Sequence, residues 1–145
     1  GGEPARVSGS AGGLASGPGR VATYEALCAL DGARANPLKP EQVPEAGLSA
    51  ADPHCAEALR MFCGVLGTAA GNLVVTLGAR GGLYIGGGIV PRLGDYFLNS
   101  PFRSRFEQKG RFSNYMSQIP VWVIVADNPA LRGLASALET GFAPG

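Results

Sequence analysis

The apolar residues of the chain fall into two patterns, one with helical spacing and one in short unbroken runs. After Asp52 and Pro53, which form a capped start with proline in the first helical position, apolar side chains recur every three or four residues for about six turns. These positions are Leu59, Phe62, Cys63, Leu66, Ala70, Leu73, Val74 and Leu77. The pattern predicts one long helix with a continuous apolar face, which we expect to form the core.

Three glycines, Gly64, Gly67 and Gly71, interrupt this predicted helix at intervals of three and four residues. Each costs about 1 kcal/mol relative to alanine in a helix, so we expect another backbone to pack closely against them. Small residues at this spacing also occur where membrane helices dimerise. The unbroken apolar runs of the chain are far shorter than the roughly 20 residues that cross a bilayer, which favours a core helix.

Two short apolar runs predict buried strands. Residues 83–85 lie between glycines, and residues 120–126, with the sequence PVWVIVA, are rich in β-branched and aromatic side chains. A continuous apolar run is typical of a strand that is covered on both faces, so we place residues 120–126 at the centre of a sheet. Strands that alternate with helices of this length predict an α/β layer fold, with the helices after Pro53 and Pro129 covering the sheet.

The remaining segments are predicted as shorter helices and a loop. A first helix opens at Ser16-Gly17-Pro18-Gly19, and residues 31–51, with three prolines, form a surface loop with one short helical turn. Two short helices follow Pro91 and are broken at Ser100-Pro101. An amphipathic helix closes the chain, with its apolar stripe at Leu131, Leu134, Ala135 and Leu138.

Composition and charge exclude several classes of partner. The chain has 145 residues, 46% of them apolar, and a net charge of +1 without a run of basic residues, which suits a single globular domain and not a protein that binds nucleic acid or an acidic membrane. A basic cluster is interleaved with aromatic residues, and we interpret it as a solvated helix face whose aromatic side chains lie in the core. Its members are Arg103, Arg105, Lys109 and Arg111, with Phe102, Phe106 and Phe112.

The cysteines predict neither a disulfide framework nor a metal site. The chain has three cysteines, Cys28, Cys55 and Cys63, and none of them forms a CxxC pair. An odd number without such a pair fits a protein of the reducing cytoplasm. His54 beside Cys55 could be part of a metal or nucleophile site, but its position in the first turn of the long helix favours a structural role. We therefore predict no metal ligands in this segment.

The triple glycine Gly86, Gly87 and Gly88 is the main candidate for ligand binding. It follows directly on the strand of residues 83–85 and removes every β-carbon from one turn, so a flat ligand such as a nucleoside could lie on the backbone. A tight turn packed under a helix is the alternative interpretation. Asp127, at the end of the second strand, either reaches a ligand at the sheet edge or caps the following helix.

Motifs in these stretches resemble bacterial glucokinases in order and spacing. They are Ser16-Gly17-Pro18-Gly19, Gly71-Asn72-Leu73, the strand with Gly86-Gly87-Gly88 and Ile89-Val90-Pro91-Arg92, the segment from Phe106 to Phe112, and Asp127-Asn128-Pro129. The resemblance extends from about Val7 to Gly141 but covers only the C-terminal part of such an enzyme. It implies the actin-like ATPase (ribonuclease H-like) fold, with residues 16–145 as part of the C-terminal subdomain and residues 1–15 as a flexible or truncated start.

The resemblance also implies a function. A glucokinase transfers phosphate from ATP, with Mg²⁺, to glucose and makes glucose 6-phosphate; this segment would supply the nucleoside side of the cleft at Gly86, Gly87 and Gly88. The loop of Ser16, Gly17 and Gly19 would lie near the sugar. In the family the phosphate loop and the catalytic aspartate belong to the N-terminal half, so no catalytic residue is expected here and the segment alone should be inactive. The resemblance further implies a cytoplasmic enzyme. Its partners would be glucose, ATP and the missing N-terminal half of the enzyme, and a homodimer is possible.

One position departs from the family pattern. Four residues before Ser16, where the family has an acidic residue that helps to hold the sugar hydroxyls, this chain has Gly12. The alternative hypothesis is therefore a non-catalytic sugar-sensing or interaction module derived from the same fold. A measured preference for ATP or for glucose distinguishes the two.

Overall fold

The computed structural model of the protein describes residues 5–8, 17–86, 89–124, 136–138 and 142–144. Its helices are α1 (Gly17–Leu30), α2 (Gln42–Leu48), α3 (Pro53–Leu77), α4 (Ile89–Leu93), α5 (Asp95–Asn99), α6 (Phe102–Glu107) and α7 (Ser113–Met116), with a 3-10 turn at Gly110–Phe112. Its strands are β1 (Ala5–Ser8), β2 (Leu83–Gly86), β3 (Val121–Val123), β4 (Ser136–Leu138) and β5 (Phe142–Pro144).

The strands form one mixed sheet in the order β1-β2-β3-β4-β5. β2 pairs in parallel with β1, with Ala5 opposite Leu83, and in parallel with β3, with Leu83 opposite Val121. The last two pairs, β3 with β4 and β4 with β5, are antiparallel. The two predicted strands are thus confirmed as neighbours, and the second lies at the centre of the sheet.

Three strands, β1, β4 and β5, were not predicted from the sequence. β1 lies in the stretch that we interpret as a flexible or truncated start, and it pairs with β2 over its four residues. β4 contains Leu138, so the prediction of a closing helix is wrong at Ser136–Leu138; the rest of that stretch, residues 125–135, lies outside the described residues. Pairing with β4 satisfies backbone groups along the free side of β3, and this outweighs the spacing of four apolar residues.

Helix α3 begins and ends as the sequence predicts. The side chain of its N-cap, Asp52, accepts hydrogen bonds from the backbone N–H of His54 at 2.8 Å and of Cys55 at 3.3 Å. Its C-cap, Gly78, has a φ of 62° in the left-handed region, which glycine adopts without strain. By length and composition alone α3 could cross a membrane, but 56% of its most apolar window is buried inside the protein, which supports the prediction of a core helix.

The glycines of α3 allow it to touch α6. A β-carbon at Gly67 would overlap the carbonyl oxygen of Phe102, and one at Gly71 would lie 2.6 Å from the carbonyl oxygen of Phe106. At Gly64 the same atom would meet only side chains, the nearest being that of Arg105 at 3.6 Å. The predicted close approach is confirmed, and it is concentrated at Gly67 and Gly71.

The described apolar residues form two clusters. The larger one lies between α3, the short helices after β2 and one face of the sheet, where Leu83, Ile85, Val121 and Val123 are buried. The smaller one joins α1 and α2 to the first turns of α3 and contains Tyr24, Cys28, Val43, Cys55 and Ala58. This arrangement confirms a sheet packed on the long helix, with α1 and α2 at the amino end of that helix.

The segment after β2 is more broken than the sequence predicts. α4 already begins at Ile89 and ends at Leu93, and Gly94 separates it from α5. The predicted break at Ser100-Pro101 is confirmed, because α5 ends at Asn99 and α6 begins at Phe102.

Candidate functional site

The parallel strands bring the candidate stretches to one edge of the sheet. β1, β2 and β3 run in the same direction, so their last residues, Ser8, Gly86 and Val123, lie at the same edge. Residues 9–16, Gly87 with Gly88, and Asp127 each follow one of these strands along the chain. Open α/β sheets bind ligands at the carboxyl ends of their strands, so this edge is the candidate site.

Gly86 is the last residue of β2 and therefore lies at this edge. It is half-buried and lies opposite Ser8 in the parallel pair of β1 and β2. Gly87 and Gly88 lie outside the described residues, and α4 begins immediately after them at Ile89. Ile85 before the glycines and Val90 after them are both buried, so the chain is anchored in the core before Gly86 and after Gly88.

The second candidate stretch opens α1, as the sequence predicts. Ser16 lies outside the described residues, Gly17 is the first residue of α1, and the carbonyl oxygen of Gly19 accepts a hydrogen bond from the hydroxyl of Thr23 at 2.9 Å. The Tyr24 hydroxyl donates to Asp52 at 3.2 Å and accepts from the backbone N–H of Asn36. Helix α1 is therefore fixed to the N-cap of α3, although the sugar-loop role of Ser16, Gly17 and Gly19 stays a prediction.

Two of the stretches that resemble the family are in direct contact. The ammonium group of Lys109 donates to the side chain of Asn72 at 2.6 Å and to the carbonyl oxygen of Thr68 at 3.1 Å, and the Nε of Arg105 donates to the Thr68 hydroxyl at 3.1 Å. Burial, followed by the nearby charge of Arg105, lowers the pKa of Lys109. The prediction of a solvated basic face is confirmed for Arg105, which is exposed, but it does not fit Lys109, which is half-buried against the carbonyl oxygen of Thr68.

Arg103 has a comparable structural role before β3. It forms an ion pair with Glu107, and its guanidinium donates to the carbonyl oxygens of Ile119 at 2.9 Å, Ser117 at 3.0 Å and Met116 at 3.3 Å. These bonds fix the turn through which the chain enters the central strand. This role was not predicted from the sequence either, since a single arginine in a basic cluster carries no local signal of its partners.

The aromatic residues of the same cluster differ in burial. Phe102 and Phe106 are buried, as predicted, but Phe112 is 41% exposed and the guanidinium of Arg111 lies over its ring. The prediction that Phe112 belongs to the core is therefore wrong. The 3-10 turn at Gly110–Phe112 contains no buried residue, so it leaves this side chain at the surface.

His54 and the cysteines have structural surroundings. The Nε2 atom of His54 lies 2.9 Å from the carboxylate of Asp31, and within the described residues no three histidine, cysteine or acidic side chains are grouped to hold a metal. Burial raises the pKa of the Cys55 thiol to about 11 and that of Cys63 to about 12. Both thiols are therefore protonated at neutral pH and are poor nucleophiles. Asp127 lies outside the described residues.

These features define a class of protein. Three parallel strands end at one edge of the sheet, and the long helix α3 packs on one face of that sheet. Many α/β proteins bind their ligands beyond such strand ends. The family model for glucokinase matches residues 4–141. The chain belongs to the glucokinase family.

Individual relatives agree with this assignment. The chain is 57% identical to a glucokinase from Chromobacterium violaceum over 131 residues, which are 90% of this chain and 38% of the relative. It is 54% identical to a glucokinase from Aromatoleum aromaticum, over 88% of this chain and 39% of that protein. The crystal structure of a glucokinase from an Antarctic psychrotroph is similar with a TM-score of 0.72 and 42% identity, over 79% of this chain and 36% of that one. The chain thus spans less than two fifths of the length of these proteins.

Proposed function

We propose that the whole protein phosphorylates glucose with ATP as donor, and that this segment supplies the nucleoside side of the cleft. The observation that supports this most strongly is the path of the chain from buried strand β2 through Gly86 to helix α4 at the carboxyl edge of the parallel strands. A nucleoside needs a flat surface, and consecutive glycines offer backbone without side chains. We further propose that the sheet and its helices are part of the C-terminal subdomain of an actin-like ATPase.

Phosphoryl transfer requires groups beyond this surface. Such reactions need Mg²⁺, a cradle for the phosphates and a carboxylate that accepts the proton of the attacking hydroxyl. In the family that the sequence resembles, the phosphate loop and the catalytic aspartate belong to the N-terminal half, so we assign the phosphate cradle and the proton acceptor to the rest of the protein. The same proposal puts the protein in the cytoplasm, where the unpaired Cys28, Cys55 and Cys63 would stay reduced.

Alanine substitutions in the triple glycine test the nucleoside site. The substitutions Gly87→Ala and Gly88→Ala are made in an assembled enzyme, in which the part of the Chromobacterium violaceum relative that this chain does not match is fused ahead of Gly1. A β-carbon under the adenine or ribose would raise the KM for ATP and leave the KM for glucose and the Tm nearly unchanged.

A matched control separates ligand contact from backbone strain. Gly110 has a φ of 57° and a β-carbon there would meet no atom within 4 Å, so Gly110→Ala introduces strain alone. This variant should lower the Tm slightly and leave both KM values as they are. If Gly87→Ala and Gly88→Ala behave like Gly110→Ala, the triple glycine is a structural turn and the nucleoside lies elsewhere. If the enzyme binds glucose but neither binds nor hydrolyses ATP, the non-catalytic sugar-sensing module takes the place of our proposal.

A further inference from the structure

A groove with a volume of about 230 Å³ lies between helices α3 and α6. Its lining residues are Arg60, Met61, Gly64 and Val65 of α3, Pro101 before α6, and Arg105 of α6. Met61 and Val65 are each 37% exposed, so they leave apolar surface in contact with solvent. The groove thus combines an apolar surface with two guanidinium groups.

Gly64 forms the floor of this groove. Gly67 and Gly71 allow α3 to touch the backbone of α6, but the atoms nearest to a β-carbon at Gly64 all belong to side chains, those of Arg105 at 3.6 Å and 3.8 Å and that of Pro101 at 3.8 Å. These are ordinary van der Waals distances, so close packing does not account for this glycine, although glycine weakens a helix relative to alanine. A β-carbon here would instead reduce the space inside the groove.

Arg105 is held beside this floor without an acidic partner. Its Nε donates to the hydroxyl of Thr68 at 3.1 Å, and its Nη1 lies 3.6 Å from the position of a β-carbon on Gly64. No carboxylate of the described residues forms an ion pair with Arg105, and its charge contributes, after burial, to the lowered pKa of Lys109. The terminal nitrogens of Arg105 can therefore donate to an anion.

Arg60 supplies a second positive charge from α3. Its Nη1 lies 3.6 Å from Oε1 of Glu57, but the two side chains are 64% and 47% exposed, and ion pairs in such positions contribute little to stability. Arg60 can therefore turn towards a ligand in the groove at small cost. Because Glu57 is a single carboxylate beside two guanidinium groups, the charge around the groove is positive.

We propose that this groove is a binding site for a small organic anion with a short aliphatic part. The phosphate or carboxylate group of the ligand accepts hydrogen bonds from Arg105 and Arg60, because guanidinium groups match the geometry of such oxyanions. The aliphatic part lies over Gly64, against Met61 and Val65. The groove is smaller than the roughly 300–1,000 Å³ of pockets that hold drug-sized molecules, which favours a small ligand.

This site goes beyond the proposed function. None of the residues that line the groove belongs to the sheet edge at which we propose that the nucleoside binds. The groove would bind its anion whether or not the assembled protein phosphorylates glucose.

Butyl phosphate is a suitable probe, because it combines an oxyanion with a short aliphatic chain. Inorganic phosphate is the control that lacks the aliphatic part. In isothermal titration calorimetry of the purified chain, butyl phosphate should bind at least about tenfold more tightly than inorganic phosphate, since its carbon chain leaves water.

Substitutions locate the bound probe. Arg105→Gln should weaken the binding of butyl phosphate about tenfold or more, because the oxyanion loses charged donors. Gly64→Ala should weaken it several-fold without lowering the Tm, because the new methyl group occupies the floor. The matched control is Arg111→Gln, which removes the same charge from an exposed turn and should leave the affinity unchanged. Thermal melting shows that each variant is folded, and Arg60→Gln takes the place of Arg105→Gln if the latter does not fold.

Several results would overturn the proposal. Absence of binding, or equal affinity for butyl phosphate and inorganic phosphate, would show that the apolar floor is not used. Equal losses in Arg105→Gln and Arg111→Gln would reduce the effect to a general attraction of anions, and unchanged affinity in Gly64→Ala would place the probe outside the groove.

The fusion described above extends the test to the assembled protein. There the difference in affinity between the unsubstituted fusion and the fusion with Arg105→Gln reports on the groove, even if butyl phosphate also binds elsewhere. The same loss of about tenfold is expected as in the chain. A folded fusion without this difference would mean that the rest of the polypeptide fills the groove, and would overturn the proposal.

Discussion

At the scale of single residues, the contact between α3 and α6 is decided by the absence of a few β-carbons. Gly67 and Gly64 lie on the same helix and are both buried, but only Gly67 faces backbone, at the carbonyl group of Phe102. A β-carbon at Gly67 would overlap the carbonyl oxygen of Phe102, which real structures avoid, and it would lie 3.0 Å from the carbonyl carbon. Backbone is unable to rotate away as a side chain does, so the two glycines should respond to substitution in opposite directions.

We therefore predict that Gly67→Ala destabilises the protein and that Gly64→Ala does not. Overpacking against the backbone should cost about 1–3 kcal/mol in the free energy of unfolding. At Gly64 the nearest atom is 3.6 Å away on a side chain, and alanine should stabilise the helix by up to about 1 kcal/mol. Urea unfolding of both variants measures the difference. Equal destabilisation would mean that α3 needs glycine for a reason other than its contact with α6.

The buried thiol of Cys63 predicts how stability depends on pH. Its pKa is raised from 9.0 to about 12 by burial, so between these values the unfolded chain has released a proton that the folded chain still holds. The stabilisation is therefore complete below the unfolded pKa and is lost as the pH rises from about 9 towards about 12, at up to about 1.4 kcal/mol per pH unit.

Cys63→Ala tests this dependence. The variant lacks the thiol, so its free energy of unfolding should fall less steeply than that of the unsubstituted chain when urea unfolding is repeated at about pH 8, about pH 9 and about pH 10. Other titrating groups are common to both proteins and cancel in the comparison. Parallel curves would show that Cys63 ionises normally in the folded state, contrary to its burial.

At the scale of the elements, α3 depends on one carboxylate at its start. Asp52 accepts hydrogen bonds from the first turn of α3 and from the Tyr24 hydroxyl of α1, so it joins the two helices as well as capping one. Loss of an N-cap side chain lowers the free energy of unfolding by about 0.5–2 kcal/mol. In this protein the Tyr24 hydroxyl would also lose its acceptor.

We predict that Asp52→Ala lowers the free energy of unfolding by about 2 kcal/mol, the upper part of the range for lost caps. Asp52→Asn is the matched control, because its amide oxygen can accept the same backbone hydrogen bonds and it should retain most of the stability. Thermal and urea unfolding compare the three proteins. Equal losses in both variants would indicate that the negative charge at this position, and not the cap geometry, stabilises α3.

The elements that local chemistry specifies could be predicted from the sequence. Asp52-Pro53 and Gly78 fix the ends of α3, Ser100-Pro101 breaks α5 from α6, and glycines bound strand β2. β1 has only four residues, and its place beside β2 results from pairing between segments far apart in the chain. No local pattern distinguishes it from the glycine-rich stretch around it. The apolar positions near Leu138 fit a helix by spacing, but β4 gains backbone pairing with β3 instead.

The same distinction applies to the candidate site. The glycines after β2 are visible in the sequence because they stand in one run, and their position at a sheet edge follows from the strand before them. The contacts of Lys109 with Thr68 and Asn72 join residues 41 and 37 positions apart, so the charge pattern alone predicted a solvated face. Only the register of the parallel strands shows that the ends of β1, β2 and β3 share one edge.

At the scale of the whole molecule, the described residues of the segment show structural surroundings for its cysteines and its histidine. The described thiols of Cys55 and Cys63 are protonated, His54 is engaged with Asp31, and the described residues gather no metal site. In the proposed kinase, this segment supplies a sheet edge for the nucleoside, and the rest of the polypeptide supplies the phosphate cradle and the proton acceptor. Activity should therefore appear only when both parts are present.

The last prediction is that the purified chain does not phosphorylate glucose, whereas the fusion with the remaining part of the Chromobacterium violaceum relative does. General base catalysis contributes about 10²–10⁴-fold to the rate of an enzymatic reaction, and positioning of the two substrates contributes more. Without these contributions, the chain alone should form glucose 6-phosphate no faster than the reaction mixture without protein. Formation of glucose 6-phosphate from ATP, followed by a coupled assay, measures both proteins. The fusion carrying Gly110→Ala serves as a folded positive control. Turnover by the chain alone would mean that it contains a proton acceptor and a phosphate cradle of its own, and would overturn the division of roles between the two parts.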